Sequence, residues 1–336
     1  MNRLPFLILF LTLTFSACTP RPQDCARSEV FCVGLVTDFG SVNSGINQEA
    51  WLGLQDAKAD EKIDRVDFIE TIDARDRAKN IEAFAENGYD VIITVGASIS
   101  DETVAAAQKY PHILFIGVEQ PQNTKYPNLA GLVFHEDESG FLAGALAALI
   151  TRTNRIAGMC EEKFIDPMRR YCDGFQAGAL YVKKDVKVTI VYRNGSEEDL
   201  FNDANWGQTT AQKLVHDGVD VLFAAGGGTA DAALEAAANE GASVIGAETD
   251  NYARLADIRP RLATSAVNDV RSGVHELMRL AREGQFPAGE SMGQVNLAPF
   301  HEFEIRISSD VATRLEEIRT GLANGSIKTG ILYKSP

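Results

Sequence analysis

The chain has 336 residues, of which 45% are hydrophobic and 24% are charged, and its formal net charge at pH 7 is −15. This is ordinary globular composition, and the length is ample for two lobes. An acidic chain is a poor candidate for a nucleic-acid-binding protein, because phosphate binding needs clustered Lys and Arg. We therefore expect no nucleic-acid partner.

The first 17 residues (1–17) predict an export signal that is not part of the fold. One positive charge, Arg3, precedes an apolar run from Leu4 to Phe15 that is short for a bilayer span. The following "FSAC" resembles the bacterial lipoprotein cleavage box, in which the cysteine, here Cys18, is lipidated and becomes the new N-terminus. We expect an exported protein that is lipid-anchored to the bacterial cell membrane, on its periplasmic or outer face, and otherwise soluble. Plain secretion is the alternative.

Residues 18–30 are polar, contain two prolines and are predicted to form a tether. Export makes disulfides permissible, and the four cysteines that remain beside Cys18 allow three pairings. Local pairing is the simplest, and free buried thiols are the alternative. The spacings do not match a zinc site, so we predict no metal site. The candidate disulfide cysteines are Cys25, Cys32, Cys160 and Cys172.

The rest of the chain alternates between short apolar segments and helical segments. The predicted strands are 30–36, 65–70, 90–96, 112–118 and 129–135, and the predicted helices between them include 76–88 and 101–111. The same alternation continues further along the chain, where the predicted strands are "RIAGMC", "VKVTIVY", "DVLFAAG" and "ASVIGAE". Because strands that alternate with helices in this way give parallel sheets, the predicted fold class is α/β.

An internal repeat is visible between "GYDVIITVGASISDETVAAAQKYPHILFIGVE" (88–119) and "GVDVLFAAGGGTADAALEAAANEGASVIGAET" (218–249). In both segments an apolar strand runs into Gly, and a small-residue loop leads to an Asp and an Ala-rich helix. A second strand then ends at Gly-x-Glu, with Glu119 in one segment and Glu248 in the other. The repeat predicts two similar α/β lobes in one chain.

Several loops that follow predicted strands carry small or polar residues. In open parallel sheets, ligands bind beyond the carboxyl ends of the strands. The loops 37–47 and 96–101, the glycines at 226–228, and the acidic pair Glu248 and Asp250 all follow strands in this way. Two lobes that face one another bring these loops to one cleft, so the sequence predicts a binding site there.

Each of these loop residues has a functional and a structural interpretation. Asn47 offers one acceptor and two donors to a planar polar ligand, whereas a helix N-cap needs only its oxygen. Asp101 is more typical of a capping residue. The loop "AAGGGTAD" either brings backbone N–H groups to an anion or hydroxyl or forms a tight turn, and it lacks the phosphate-loop and dinucleotide patterns. Glu248 and Asp250 either accept hydrogen bonds from sugar hydroxyls or amines, or are solvated.

Catalytic machinery is not apparent in the sequence. No His-Glu-x-x-His motif occurs, and the five His are scattered without an evident nucleophile. Three acidic residues follow His135, which favours a solvated hinge over a metal site. We expect neither an enzyme nor a cofactor.

These segments together resemble the basic-membrane-protein lipoproteins, a family whose best-understood members are purine nucleoside receptors of ABC importers. The resemblance covers nearly all of the mature chain. Its markers are "GLVTDFGSVNSGINQEAWLGL", "GYDVIITVG", "FLAGALAALITRTNRIAGM", "GFQAGA", "FND", "GVDVLFAAGGGT", "VIGAETD", "TSAV" and "ANGSIKTGI".

The resemblance implies the type I periplasmic-binding-protein fold. In this fold, two Rossmann-like lobes with parallel sheets are joined by three crossovers and close on a ligand like a hinged trap. We accordingly expect 31–133 plus 262–295 to form lobe 1, and 134–261 plus 296–336 to form lobe 2.

The resemblance also implies roles for individual residues. Receptors of the family hold a purine between aromatic rings, pair its edge with Asn and Asp, and grip the ribose with acidic and Lys side chains. The matching positions here are Asp38 and Asn47 in the first motif, Asp101 at the acidic base-contacting position, Phe201 at a stacking aromatic, Gly227 and Gly228 in the glycine loop, and Glu248 and Asp250 in the acidic turn.

Three features depart from the family pattern. The first motif is one residue shorter, Ile46 stands where the family commonly has Phe, and Asn268 stands where Lys follows "TSAV". A lost ring removes a stacking contribution of roughly 1–3 kcal/mol per base, and a lost Lys removes a charge-assisted hydrogen bond. We hypothesise that Phe39 replaces the missing ring.

The expected function is that of a lipid-anchored substrate-binding protein of an ABC importer. It binds a small polar ligand, a purine nucleoside by resemblance, and hands it to the permease and ATPase subunits. One alternative is a ligand sensor that signals to a membrane partner. The other is a nucleoside-acting enzyme, which the scattered His and the lack of an Asp-rich metal motif disfavour.

Overall fold

Two six-stranded sheets flanked by helices form the two lobes of the molecule. The structure is a computed structural model that describes residues 24–196 and 199–332. The predicted signal peptide (1–17), the lipidation site Cys18 and the first part of the tether lie outside the described residues.

The described strands and helices alternate along the chain. The strands are β1 (Cys32–Thr37), β2 (Arg65–Ile69), β3 (Val91–Val95), β4 (Leu114–Val118), β5 (Leu129–Val133), β6 (Arg155–Cys160), β7 (Lys187–Tyr192), β8 (Val221–Ala225), β9 (Ser243–Glu248), β10 (Leu262–Asn268), β11 (Gly289–Met292) and β12 (Val295–Leu297). The helices are α1 (Gly45–Asp60), α2 (Arg77–Glu86), α3 (Ser100–Lys109), α4 (Glu136–Ile150), α5 (Asp166–Val182), α6 (Ala204–His216), α7 (Gly227–Asn239), α8 (Val270–Arg282) and α9 (Ser309–Ala323).

The two sheets have the same internal order. The first runs β11-β5-β4-β3-β1-β2 and the second runs β12-β10-β9-β8-β6-β7, so each strand has a counterpart in the other lobe. The described pairs are parallel except for β10 with β12, which is antiparallel. The inner strands β1, β3 and β8 are buried along their whole length, as expected for apolar runs in a sheet covered on both faces. The predicted α/β class is confirmed.

Helices cover both faces of each sheet. In the first lobe, α1 and α8 pack on one face, and α2 and α3 pack on the other. In the second lobe, α4, α5 and α9 share one face, and α6 and α7 share the other. Successive strand residues feed opposite cores, as Leu35 and Val36 of β1 do. Among the described helices, none is long and apolar enough to cross a membrane.

The chain passes between the lobes at 134–135, at 269 and at 293–294. The crossings are hydrogen-bonded to one another: the Asp269 N–H donates to the Gln294 carbonyl at 2.9 Å, and the Gly293 N–H donates to the Val133 carbonyl at 2.8 Å. The predicted lobe boundary placed all of 262–295 in lobe 1. Residues 262–268 belong instead to the second sheet, because β10 extends the parallel ladder of β9.

The C-terminal part of the predicted tether is attached to the first lobe. Cys25 is bonded to Cys32 at the start of β1, and Val30 packs beneath α2 and α3. These contacts fix residues 25–30, so the predicted tether at 18–30 extends too far toward β1.

Both disulfides follow the local pairing, Cys25 with Cys32 and Cys160 with Cys172. The second disulfide joins the end of β6 to the middle of α5. It therefore lies one residue from Glu161 and one residue from Tyr171, two side chains of the candidate site described below.

Removing the Cys160–Cys172 disulfide is expected to lower the free energy of unfolding by about 3 kcal/mol, because the bond limits the conformational freedom of the unfolded chain. The two cysteines are 12 residues apart in sequence. Urea unfolding of the Cys160→Ala/Cys172→Ala double variant measures the change, with Cys25→Ala/Cys32→Ala as the comparison for a shorter loop. An unfolding free energy equal to that of the parent protein would contradict the expectation.

Helices α4 and α5 approach each other through glycines. A Cβ atom on Gly144 would lie 1.9 Å from the Phe175 carbonyl oxygen, and one on Gly178 would lie 1.9 Å from the Phe141 carbonyl oxygen. Both distances are far below an ordinary van der Waals contact, so only glycine fits at this spacing. The close packing brings the N-terminal parts of the two helices together at the boundary between the lobes.

The sequence repeat occupies equivalent places in the two lobes, as β3–α3–β4 and as β8–α7–β9. Gly96 and Gly226, which follow the first strand of each unit, have φ values of 107° and 128°. Glu119 and Glu248, at the end of the second strand, have φ values of 58° and 71°. A positive φ is uncommon for a residue with a Cβ atom, so the repeat preserves an unusual backbone as well as a sequence pattern.

Candidate functional site

Each lobe carries a carboxylate just after its central first strand. Asp38 follows β1, and Glu161 follows β6, the counterpart of β1. A Cβ atom on Gly96 would lie 2.3 Å from Asp38 Oδ2, and one on Gly226 would lie 2.8 Å from Glu161 Cβ. The two repeated glycines therefore make room for these two acidic side chains.

Arginines accompany both of these carboxylates. In the second lobe, the fully buried Arg193 pairs its Nη1 with Glu161 Oε1 at 3.1 Å and its Nε with Asp203 Oδ2 at 3.2 Å. In the first lobe, Arg77 Nε donates to the Asp38 carbonyl at 3.1 Å. Burial raises the pKa of the Asp38 carboxyl, and the charge of Arg77 opposes that rise. The arginines therefore reduce the cost of burying these acids.

Glu119 and Glu248 form a second acidic pair, one from each lobe. Burial, together with the charges of Glu248 and Glu136, raises the pKa of Glu119 to about 8. Burial, together with the charges of Glu161 and Glu136, raises the pKa of Glu248 to about 7. Within the described chain neither carboxylate has an ion-pair partner. Burial and neighbouring acidic residues therefore raise the pKa values of both carboxyl groups toward neutral pH.

A buried ion pair and a hydrogen-bond relay lie beside this acidic pair. Arg170 Nε contacts Glu136 Oε2 at 2.6 Å, and both side chains are less than 5% exposed. The Tyr171 hydroxyl donates to Asn268 Oδ1 at 3.0 Å, and Asn268 Nδ2 donates to Glu119 Oε1 at 3.3 Å. Because Asn268 ends β10 and Glu119 follows β4, the last of these bonds joins the second lobe to the first.

The loop after β1 places its predicted residues in three different settings. Asn47 is the third residue of α1, and the N-cap is Ser44. Its Nδ2 donates to the Phe39 carbonyl at 3.0 Å, while its buried Oδ1 has no partner among the described residues. The Phe39 side chain is 65% exposed, whereas Ile46 packs against the first-lobe core. Phe39 therefore exposes an aromatic ring in the loop after β1, whereas the side chain of Ile46 is directed into the core and exposes no comparable surface.

Phe201 and the glycine loop are held together in the second lobe. The Phe201 N–H donates to Glu161 Oε2 at 3.1 Å, and its carbonyl accepts from the Thr229 N–H at 3.3 Å. A Cβ atom on Gly227 would lie 2.9 Å from the Phe201 carbonyl oxygen, and Gly228 follows in the first turn of α7. The glycines thus make room for the Phe201 loop.

Asp250 lies at the rim of the cleft. It is exposed, and its Oδ2 lies 2.7 Å from Nε2 of His301, whose ring stacks on Tyr252 at 3.9 Å. Burial, with the charges of Asp269 and Asp250, raises the pKa of Glu49 on α1. Asp250 therefore faces the first lobe across the rim.

Asp101 stands apart from the other predicted site residues. It is exposed in the first turn of α3, whose N-cap is Ile99, and it lines a groove of about 310 Å³ with Glu82 and Lys109. No hydrogen bond or ion pair links it to the other candidate residues in the described part of the chain. A carboxylate in a first helical turn is favoured by the helix dipole, which accounts for Asp101 without a ligand.

Four side chains near the cleft were not predicted as site residues: Glu119, Glu136, Arg170 and Tyr171. Glu119 had a signal in the sequence, because the repeat pairs it with Glu248. The others lie near the starts of α4 and α5, where no motif marks them, and helix packing brings them to the lobe boundary.

The polar atoms at the acidic pair between the lobes are mainly carboxyl oxygens. They include the carboxylates of Glu119 and Glu248, with Asn268 Nδ2 as a neighbouring donor. A hydroxyl group matches this set, because it donates to a carboxylate and accepts from an amide. Within residues 24–196 and 199–332, no group of three or more His, Cys, Asp or Glu side chains is arranged to hold a metal ion.

Comparison with known proteins identifies a family and several relatives. The profile of the family described as "ABC transporter substrate-binding protein PnrA-like" matches residues 31–294. The "ABC transporter nucleoside-binding protein BmpA" of Lactococcus lactis subsp. cremoris is 30% identical over 274 residues, which cover 76% of each chain. The "CD4+ T-cell-stimulating antigen" of Listeria monocytogenes serovar 1/2a is 28% identical over 324 residues, which cover 90% of this chain and 88% of the relative.

Solved structures share the fold at lower sequence identity. An ABC transporter solute-binding protein from Aeropyrum pernix K1 has a TM-score of 0.74 and 21% identity, covering 91% of this chain and 94% of that protein. One from Conexibacter woesei has a TM-score of 0.69 and 18% identity, covering 89% and 98% respectively. These similarities confirm the predicted type I periplasmic-binding-protein fold.

Proposed function

Because this chain belongs to the PnrA-like family of ABC transporter substrate-binding proteins, we propose that it is a lipid-anchored extracytoplasmic receptor of an ABC importer. It captures a small polar ligand between its lobes and delivers that ligand to the permease and ATPase subunits. A purine nucleoside is the first candidate, and the name of the Lactococcus lactis relative supports this choice.

The observation that carries this proposal is the meeting of Glu119 and Glu248 between the lobes. Each is at the carboxyl end of an equivalent strand, which is where open parallel sheets bind ligands. A ligand hydroxyl that bonds to both carboxyl groups contacts both lobes at once. Ligand binding therefore favours the closed arrangement over an open one, which is how a hinged receptor traps its ligand.

We propose that the remaining predicted residues complete the site from its edges. Asn47 and the Asp38 loop form hydrogen bonds with the purine base from the first lobe. The rings of Phe39 and Phe201 stack on the base from the first and the second lobe respectively. The amides at Gly227 and Gly228 begin α7, where a helix N-terminus favours an electron-rich group.

Calorimetric titration of purine nucleosides into ligand-free protein tests this function. We expect saturable binding of one nucleoside per chain, and we expect Glu248→Ala to weaken it by about 10- to 100-fold, since hydrogen bonds to charged groups contribute roughly 1.5–3 kcal/mol. Glu235→Ala, which removes an exposed carboxylate from α7, is the matched control. If no nucleoside binds, the proposed ligand class is wrong.

Replacing Phe39 by alanine is expected to weaken nucleoside binding by about tenfold or more, because an aromatic ring stacked on a base contributes roughly 1–3 kcal/mol. Folding stability should change little, since the ring is mostly exposed. Ile72→Ala, another exposed apolar residue near this loop, is the control. Unchanged affinity in Phe39→Ala would show that this ring does not replace the aromatic that Ile46 displaces.

A further inference from the structure

The amide of Asn268 is held in one orientation by its two hydrogen-bonding neighbours. The Tyr171 hydroxyl donates to Oδ1, and Nδ2 donates to the carboxylate of Glu119. With the Glu119 carboxyl ionised, a flipped amide would direct its oxygen toward Glu119 and bring two acceptors together. Since Asn268 is only 4% exposed, water cannot easily compensate for such a mismatch.

Tyr171 is itself fixed from both sides along α5. Arg170 is held by the buried ion pair with Glu136, and Cys172 is held by the disulfide to Cys160. The backbone of Tyr171 lies against Gly140 of α4, where a Cβ atom would be 2.3 Å from the Tyr171 carbonyl oxygen. Tyr171 is 1% exposed, and its hydroxyl has a second hydrogen-bonding neighbour inside the protein, the Ser139 side chain of α4.

We infer that Tyr171 is a positioning residue for ligand recognition, which acts by orienting Asn268 as a neutral donor beside Glu119. Tyr171 does not touch the ligand in this account. The amide has two N–H groups, and one of them is used by Glu119. The second serves a ligand hydroxyl that donates in turn to Glu119 or Glu248. This inference rests on the proposed function, because it assigns the group that reads a sugar hydroxyl in the same cleft.

The relay also couples recognition to lobe closure. Tyr171 and Asn268 belong to the second lobe, and Glu119 belongs to the first. The donor orientation set by Tyr171 therefore matters when the two lobes are together. We expect its loss to weaken binding of ligands that carry the hydroxyl and to affect ligands without it much less.

The test compares Tyr171→Phe, Asn268→Ala and the double variant by calorimetry with inosine, 2′-deoxyinosine and 3′-deoxyinosine as probes. Tyr171→Phe should weaken inosine binding by about five- to tenfold, as expected for one lost hydrogen bond. It should also reduce the ratio between the affinity for inosine and the affinity for one of the two deoxyinosines. In the Asn268→Ala background the same change should have no further effect, because Tyr171 acts through Asn268. Tyr192→Phe, which removes a hydroxyl bonded to Asp173 on the same helix, is the control.

A ligand-free readout keeps the inference separate from the proposed function. In parent protein the side-chain amide resonances of Asn268 should show two distinct, slowly exchanging protons, and Tyr171→Phe should shift or broaden them. If no probe binds to any protein, the proposed ligand is wrong, and the amide resonances alone decide the positioning role. Unchanged resonances, unchanged selectivity or full additivity of the two substitutions would overturn the inference.

Discussion

Replacing Glu119 by glutamine is expected to raise the free energy of unfolding at pH 8.5 by roughly 4 to 5 kcal/mol, and by less than about 1 kcal/mol near pH 5. The pKa of Glu119 in the folded protein is about 8, against an ordinary value of 4.5. The folded state therefore binds this proton more tightly than the unfolded chain does. Stability is lost as the pH rises from about 4.5 to about 8, and glutamine avoids this loss because it cannot ionise.

Denaturant unfolding at pH 5, 7 and 8.5 measures this effect. Glu248→Gln should act in the same direction but less strongly, because the pKa of Glu248 is about 7. Glu86→Gln removes one negative charge from an exposed position on α2, and it controls for the overall acidity of the chain. If Glu119→Gln and Glu86→Gln have the same stability at all three pH values, the carboxyl of Glu119 is not buried as described.

A cost of this kind is typical of residues that are kept for function. The folded protein loses stability when these two carboxyl groups ionise, so they do not suit a purely structural role. Glutamine would fill the same space without this loss. Binding sites commonly hold such residues, where stability and activity trade against each other. The expected gain in stability for Glu119→Gln should therefore be accompanied by weaker ligand binding.

Replacing Gly178 by alanine is expected to lower the free energy of unfolding by about 3 kcal/mol, in the range of severe overpacking. At an ordinary helical position the same change raises stability by about 1 kcal/mol, because alanine has the higher helix propensity. Here the new Cβ atom would lie 1.9 Å from the Phe141 carbonyl oxygen. The two helices must separate to accept it, so the sign of the effect is reversed.

The same substitution should disturb the candidate site, because α5 carries Arg170 and Tyr171. Urea unfolding and nucleoside titration of one protein preparation measure both effects. Gln176→Ala, at an exposed position on the same helix, should alter stability by less than about 0.5 kcal/mol. A stabilising effect of Gly178→Ala would mean that the close approach of α4 and α5 does not exist in solution.

Much of the fold follows from local patterns in the sequence. Apolar segments separated by helices predict parallel strands, and the repeat between 88–119 and 218–249 predicts two equivalent lobes. The sheet that β10 joins could not be predicted in this way. The pairing of 262–268 with β9 depends on contacts between distant parts of the chain, which local patterns do not specify.

The candidate site is predictable where it consists of residues that follow strands. Glu248 and the glycine loop were predicted because they follow strands, whereas Asn268 was predicted from the family resemblance. Tyr171 and Arg170 were not found, because their position depends on how α5 packs against α4. Asp101, which was matched by the family pattern, lies in a surface groove beside α2, and its role in ligand binding stays a prediction.

The ligand class can be identified by native mass spectrometry after incubation of the protein with an equimolar mixture of purine nucleosides, sugars and amino acids. Denaturing release then identifies the molecule that the protein retains. We expect one purine nucleoside per chain, retained by parent protein and lost from Glu248→Ala. Retention of a sugar or an amino acid, or of no component of the mixture, would contradict the proposed function.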